Sequence, residues 1–296
     1  MAKKLEITNS AGIKKTFQLF YRRGEEEAIT DLTGFNQNFG VVLTHERSPF
    51  QQGATTVALR GETRPLSFVI HILRPTQEEL EQRITNIVEF MNPYKGELTL
   101  VHDNGVRRRR IKAYYIGHSF VSYEDNRGYG TLAIDLMADD ALFEDENMQV
   151  VEMGTGVGAF ILPMYIPFEF GADVEHVLIE NSGDYYNPVE MVLYGPLTDP
   201  KLIRDVYVGD EIVRSDELAF ENFTLPEDYS VRIRTEQGRE ETTLISPEGI
   251  ETNVNRYLSV DSNYWQLFVG TNVIRFAAGS GYPYTQIKFR RKYIVA

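Results

Sequence analysis

Apolar and polar positions alternate along most of this chain in short runs, and the two-residue period is that of a β-strand. Lys14–Tyr21 alternates in this way, and a turn follows a short apolar pair near Asp31-Leu32-Thr33-Gly34-Phe35. Over Pro65–Leu73, Leu66, Phe68, Ile70 and Ile72 share one face, while Val69, His71 and Leu73 share the other. Both faces are apolar, so a central strand covered on both sides is expected. One segment has helical spacing instead. Leu80, Ile84, Ile87, Val88 and Met91 recur on a single face. Thr76 precedes them as an N-cap, Glu79 is its capping-box partner, and Glu78, Glu79 and Glu81 load the first turn. Asn92-Pro93 ends the segment, so a helix over 76–92 is predicted to lie across a sheet.

Two hairpins follow in the pattern. Asn104-Gly105 separates LTLVHD from VRRRRIKAYYIG, and Asp125-Asn126-Arg127-Gly128 separates YYIGHSFVSY from YGTLAIDLM. A domain boundary is expected within Asp139–Pro167, where acidic residues give way to a glycine-rich stretch and then prolines. Beyond it the chain reads as strand after strand: VEHVLIEN, PVEMVLYG, LIRDVYVG, YSVRIRTE, ETTLIS, YWQLFVG, TNVIRFAAG and TQIKFRRKYIV. Turn residues at roughly 8–12-residue spacing point to a sandwich or jelly roll. The fold class is therefore mostly β in two domains. Residues 1–145 are expected to be a β structure carrying the helix, and residues 146–296 a sandwich or jelly roll.

Composition narrows the chemistry. Tyr and Phe each occur 17 times, which suits strands, and Trp265 is the single tryptophan. There is no cysteine, which excludes disulfides, thiolate metal sites and cysteine nucleophiles, and fits folding in a reducing cytoplasm. No apolar stretch follows the first lysines, and the most apolar run, Gly158–Phe168, is short and broken by prolines. Neither a secretory signal nor a membrane span is expected. Residues 1–145 carry 18 basic and 20 acidic side chains, whereas 146–296 carry 12 and 23, an excess that either simply favours solubility or makes the second half repel nucleic-acid phosphates.

Each catalytic lead meets a plainer explanation. GTGVGAF (154–160) lacks the helix a dinucleotide loop needs, because Pro163 and Pro167 break it. His45, His71, His102, His118 and His176 show no metal-ligand spacing, and His71 reads as a core imidazole. The pairs Asp139/Asp140 and Glu144/Asp145 are neighbours in one segment, not carboxyls facing across a cleft. No G-x-S-x-G elbow occurs. The chain is read as non-enzymatic, with no cofactor and no metal.

Two segments fit no ordinary core. Arg107, Arg108, Arg109 and Arg110 point alternately to both faces of their strand. They mark either an edge strand guarded by charge or a subunit contact through acidic neighbours. Gly40–Arg64 alternates around a polar middle containing Pro49 and Gly53, and reads as a long hairpin arm. It is either a mobile loop or an arm that clasps a neighbour. The candidate subunit-interface residues are Arg107–Arg110 with Pro49 and Phe50 at the arm's turn.

The order of these features resembles the distal tail proteins of siphophages, the hub of the tail-tip baseplate. The stretches that carry the resemblance are Asp31–Phe35, the arm ending in Arg60-Gly61-Glu62, and the strand from Leu66. The helix running into Asn92-Pro93, then Gly96–Leu100, LAIDLMADDALFEDE and LIENSGDYYNPVEMVLYGP continue it. Asp139–Phe143 stands where the family often shows Asp-Pro and an aromatic pair. The resemblance implies an N-terminal β-sandwich with helix and arm that closes into a hexameric ring around the tail channel. It also implies an outward-facing, galectin-like C-terminal sandwich that does not by itself bring sugar binding. The implied partners are further copies, the tail tube protein, the tail-associated tip protein and receptor-binding or baseplate proteins. Synthesis in the host cytoplasm and a place at the virion tail tip follow, with no membrane and no specific nucleic-acid binding. The acidic surface suits a ring that lets DNA pass. The alternative is a carbohydrate-binding sandwich that stacks sugar on Trp265 or Tyr264.

Overall fold

A computed structural model of the chain describes residues 3–20, 26–37, 40–122, 128–154, 176–209, 211–281 and 284–296. The protein is mostly β, with one α-helix among the described residues. The chain divides into two compact units, Met1–Glu146 with Tyr293–Ala296, and Asn147–Lys292. The last four residues thus belong with the first unit, which no local pattern had indicated. The turn expected at 125–128 and the glycine-rich run from 154 lie largely outside the described residues.

The first unit contains β1 (Lys4–Thr8), β2 (Lys14–Leu19), β3 (Glu27–Thr33), β4 (Val41–Glu46), β5 (Thr55–Gly61) and β6 (Arg64–Leu73). Helix α1 (Gln77–Phe90) follows, then β7 (Leu98–Asp103), β8 (Arg108–Ser122), β9 (Tyr129–Ala138) and β10 (Phe143–Asp145). β1 lies antiparallel between β2 and β7, and β2 meets β3 in a short parallel pairing. β3 pairs with β6, and β6 pairs with β9 from Arg64↔Ala138 to Leu73↔Tyr129. β8 makes the closure. Its first part, to Ala113, pairs with β7; from Tyr114 the rest pairs with β9, with a register shift between Tyr115 and Gly117. The ladder therefore returns on itself, and such closure removes the exposed edges that promote aggregation.

Alternation decides what fills this ladder. Leu5, Ile7, Phe17, Ile29, Phe68, Ile70, Ile111 and Ile134 are buried in a common core. β6 sends Leu66, Phe68, Ile70 and Ile72 inward as expected. Its other face is only partly covered: Leu73 is exposed, and His71 is half-buried between Thr30 Oγ1 (2.9 Å) and Tyr129 Oη (2.7 Å). His71 is therefore not a core imidazole.

The helix forms where its capping chemistry places it. Thr76 Oγ1 accepts from the Glu79 amide at 3.2 Å, one half of the capping box, and such a cap contributes about 1 kcal/mol. Leu80, Ile84, Ile87, Phe90 and Met91 are buried against the sheet, and Val88 is only partly so. Glu27 of β3 accepts from Arg83 Nη2 at 2.7 Å and also pairs with Arg74, which ties the helix to the strand beneath it.

The polar face of β1 holds a compact charge cluster. Glu6 is 3% exposed and is met by Lys4 (2.6 Å), Lys14 and Arg108 (3.0 Å). Burial works against its charge, but hydrogen bonds from Lys14 and Lys4 and the charge of Arg108 bring its pKa down to about 2. A depressed carboxyl stabilises the fold above its unfolded pKa, and that stabilisation fades as pH falls through the folded value. Acid unfolding should therefore lose about 2–3 kcal/mol from this group between about pH 4.5 and pH 2. Glu6→Gln should remove that part of the slope. Superimposable acid titrations of wild type and Glu6→Gln, followed by circular dichroism, would show that the cluster has no such role.

The second unit begins with β11 (Gln149–Gly154), β12 (His176–Asn181), β13 (Val189–Tyr194), β14 (Leu197–Thr198), β15 (Lys201–Val208) and β16 (Glu211–Ala219). It continues with β17 (Thr224–Leu225), β18 (Ser230–Arg234), β19 (Glu241–Ile245), β20 (Glu251–Asn253), β21 (Gly270–Ala277), β22 (Ser280–Gly281) and β23 (Tyr284–Phe289). A six-stranded sheet, in the order β11-β23-β13-β18-β19-β20, and a four-stranded sheet, β12-β21-β15-β16, share one core. Met191, Leu193, Ile233 and Ile287 come from the first sheet, and Ile179, Leu202, Ile274 and Phe276 from the second. Outside, Lys288, Glu190, Arg234 and Glu241 stand opposite one another across four strands, alternating in sign. Such cross-strand pairs hold register on a solvated face. YWQLFVG is not a strand. It contributes one bridge, Asn187↔Leu267, and sends Trp265 and Leu267 into the core. The final β24 (Lys292–Tyr293), which opens the terminal segment belonging to the first unit, pairs with β10.

Candidate functional site

The arm is a two-stranded sheet that, among the described residues, pairs only with itself. Val41↔Gly61 and Leu43↔Leu59 set its register, a shift falls between Thr44 and His45, and Glu62 N donates to Gly40 O (2.9 Å) at its base. Every residue of β4 and β5 is exposed. Val41, Val42, Leu43, Val57 and Leu59 are all among the exposed apolar side chains. At the tip, Gln51 N donates to Ser48 O (3.0 Å), and this turn holds out Pro49 and a fully exposed Phe50. A lone two-stranded hairpin is marginal in water, and burying each of these side chains elsewhere would gain about 1.5–3 kcal/mol. The arm has the composition of a core strand pair without a core.

The four arginines behave differently. The expected guarded edge is overturned: β8 has β7 on one side and β10 or β9 on the other. Arg107 alone stays exposed, in the four-residue loop that Asn104 closes by accepting from the amides of Val106 and Arg107 at 2.9 Å. Arg108 donates to Glu146 (2.5 and 2.8 Å), Asp103 (3.1 Å) and Glu6 (3.0 Å), and those carboxylates raise its pKa above the ordinary value. Arg110 makes two bonds to Glu144 (2.9 and 2.7 Å). Arg109 points to the core side, 7% exposed, over the ring of Tyr293 (3.5 Å) and bonded to Val295 O. The acidic neighbours foreseen for these arginines are therefore present, but within the same chain.

The terminal residues explain the inward arginines. Ala296 N donates to Phe35 O at 2.9 Å, and Ile294 O accepts from Arg64 Nη2 at 2.5 Å. Arg64 is 1% exposed and also donates to Gly34 O. Burial brings its pKa down to about 10, against the opposing charge of Asp140. Two buried guanidiniums thus hold a four-residue segment by its carbonyls.

The remaining chemical leads are occupied by structure. His102 is buried against Phe35, and burial lowers its pKa; Glu144 belongs to Arg110, and Asp140 accepts from Leu142 N. Among the described residues no three His, Asp or Glu side chains come together as a metal set, and no helix is long and apolar enough to cross a membrane. Trp265 is 2% exposed within the core, so it is not a sugar platform, and Tyr264 turns its hydroxyl to Thr242 Oγ1 (2.8 Å).

A cluster in the second unit had no signal in the sequence. Arg204, fully buried, and Arg214, half exposed, both pair with Asp216, with 2.7 and 2.9 Å contacts from Arg214. Burial opposes the charge on Asp216, yet Arg214 and Arg204 hold its carboxyl below the usual range. Both guanidiniums lie over Phe268, at 4.6 and 5.0 Å. Residues 10 and 12 positions apart meet here because β15 and β16 form a hairpin.

Comparison with solved structures decides what this fold is. The chain shares the fold of a phage tail hub. The SPP1 Dit (gp 19.1) protein, described as a paradigm of the hub adsorption apparatus in phages infecting Gram-positive hosts, aligns with a TM-score of 0.63. The alignment covers 97% of this chain and 98% of that protein at 10% identity. Chains in the phage P2 baseplate, in its activated conformation with calcium or with strontium, align over 100% of both partners with a TM-score of 0.54 and 13% identity. No family model matches the chain, and no curated protein matches it by sequence. The likeness to the distal tail family seen in the sequence thus has a counterpart in the fold.

Proposed function

We propose that the chain is a structural distal tail protein of a siphophage or prophage tail tip. In this reading the first unit forms a hexameric ring that joins the tail tube to the tip. The second unit, the galectin-like sandwich of the resemblance, holds baseplate or receptor-binding proteins. The observation that carries it is the exposed arm, in a chain 97% of which follows the fold of a hub protein. An apolar hairpin with no core of its own is stabilised when a neighbouring copy covers it, and a repeated head-to-tail contact of this kind closes a ring. Arg107, Pro49 and Phe50 are the interface candidates left open to a neighbour. Arg108, Arg109 and Arg110 act instead by bracing the strand from which such a contact is presented. No step in this role requires catalysis, a cofactor or a membrane.

Light scattering tests the ring. A particle about six times the 33.9 kDa chain is expected, at high protein concentration or with tail tube and tip proteins present. A monomer under all of these conditions would sink the ring.

A further inference from the structure

The second unit carries a surface whose features converge on one kind of occupant. β16 is the outermost strand of the four-stranded sheet. Its C-terminal part is already covered by chain: Asn263 N donates to Glu217 O (2.7 Å) and Ser259 N to Ala219 O (2.9 Å). Ser262 Oγ adds bonds to both the amide and the carbonyl of Ala219. This edge thus accepts a polypeptide through its main chain. Among the described residues none does the same along Glu211–Ser215, and all five of these residues are exposed. Ile212 and Val213 are 49% and 56% exposed there. Val213 is also the extra residue of a bulge, since the register passes from Val206↔Arg214 to Tyr207↔Ile212. Of the devices with which natural sheets blunt such an edge, this one has the bulge and the charges of Glu211 and Arg214, but no lysine or proline.

Charge specifies the occupant further. Arg204 already neutralises Asp216, so the charge of Arg214 is in surplus, within a half of the chain that is otherwise strongly acidic. Phe268 beneath Arg214 is followed by Tyr186 (4.7 Å) and Tyr185 (5.0 Å from Tyr186), both tyrosines being exposed. Exposed tyrosines beside an arginine are the composition of protein-binding hot spots. The rings are tilted by 44° and 58°, and Arg204 and Arg214 cover Phe268, so no flat row of ring faces is offered to a sugar.

We propose that Glu211–Ser215 is a docking edge for an extended segment of a partner protein, which adds a strand to the sheet and sets a carboxylate against Arg214. The proposal rests on the tail-tip reading, in which this unit holds other tail proteins, and it names the surface used.

The test uses the full chain and two labelled synthetic peptides of alternating valine and threonine, one with a central glutamate and one with a central lysine. The glutamate peptide should bind about tenfold more tightly. Arg214→Ala should abolish the preference, and Arg214→Glu should reverse it. Ser215→Pro, which removes the amide that alternation with Glu217 and Ala219 turns outward, should weaken both peptides about tenfold. Unchanged Trp265 fluorescence verifies that each variant is folded. Equal binding of the two peptides, no binding of either, or an Arg214→Glu variant with the wild-type preference would overturn the proposal. Saturable binding of oligosaccharide in place of peptide would overturn it in favour of a sugar site. Self-association lost in Ser215→Pro would overturn it in favour of a second copy. Ring mass measured on the same samples separates the two readings. Peptide discrimination without rings leaves the edge standing alone, and rings without discrimination leave only the ring.

Discussion

Asp216→Ala should cost the second unit about 3–5 kcal/mol of stability, because it leaves Arg204 charged, buried and without its carboxylate. The side chain of Arg204 is completely buried, and its other bond goes to the carbonyl of Gln266, which carries no compensating charge. Arg214→Ala removes the exposed partner of the same carboxylate and should cost no more than about 1 kcal/mol. Replacing Arg204 and Asp216 together by leucine should recover much of the loss, since removal of both charges ends the desolvation penalty. Urea unfolding followed by Trp265 fluorescence isolates this unit, because the single tryptophan lies in its core. Equal losses for Asp216→Ala and Arg214→Ala would show that burial of Arg204 is not the cause.

Removal of the arm should have the larger effect on assembly and almost none on folding. Gly40 and Glu62 are already hydrogen-bonded, so residues 41–61 can be replaced by a Gly-Gly link without moving either flank. Among the described residues no arm strand pairs with the closed ladder, so thermal unfolding of the monomer should stay within the change of about 0.5 kcal/mol typical of surface substitutions. The particle should nevertheless fall from the ring mass to that of one chain. Phe50→Asp and Leu59→Asp should each weaken assembly by about 1.5–3 kcal/mol if they fill a pocket on a neighbour. Rings of unchanged mass and salt resistance after excision would remove the arm from the interface.

The parts of this protein legible in its sequence were those governed by neighbours along the chain. Thr76, the spaced apolar residues after it and Asn92-Pro93 described the helix, because capping and a 3.6-residue period are local properties. Asn104 likewise marked its loop, and the exposed arm was visible as a strand pair with nothing to bury it. For Arg107–Arg110, alternation correctly separated Arg109 from Arg108 and Arg110. What lies over each face, however, was decided by Glu6, Glu144, Glu146 and Val295, which are remote in sequence. YWQLFVG had the composition of a strand, yet in the fold it plugs the core with Trp265. The same holds for the Arg204–Asp216–Arg214 cluster and the open half of β16. Periodicity says which side chains share a face, because it follows from backbone geometry alone. Only the long-range pairing of strands says what that face meets, and so which arginines are held inside and which residues remain to bind a partner.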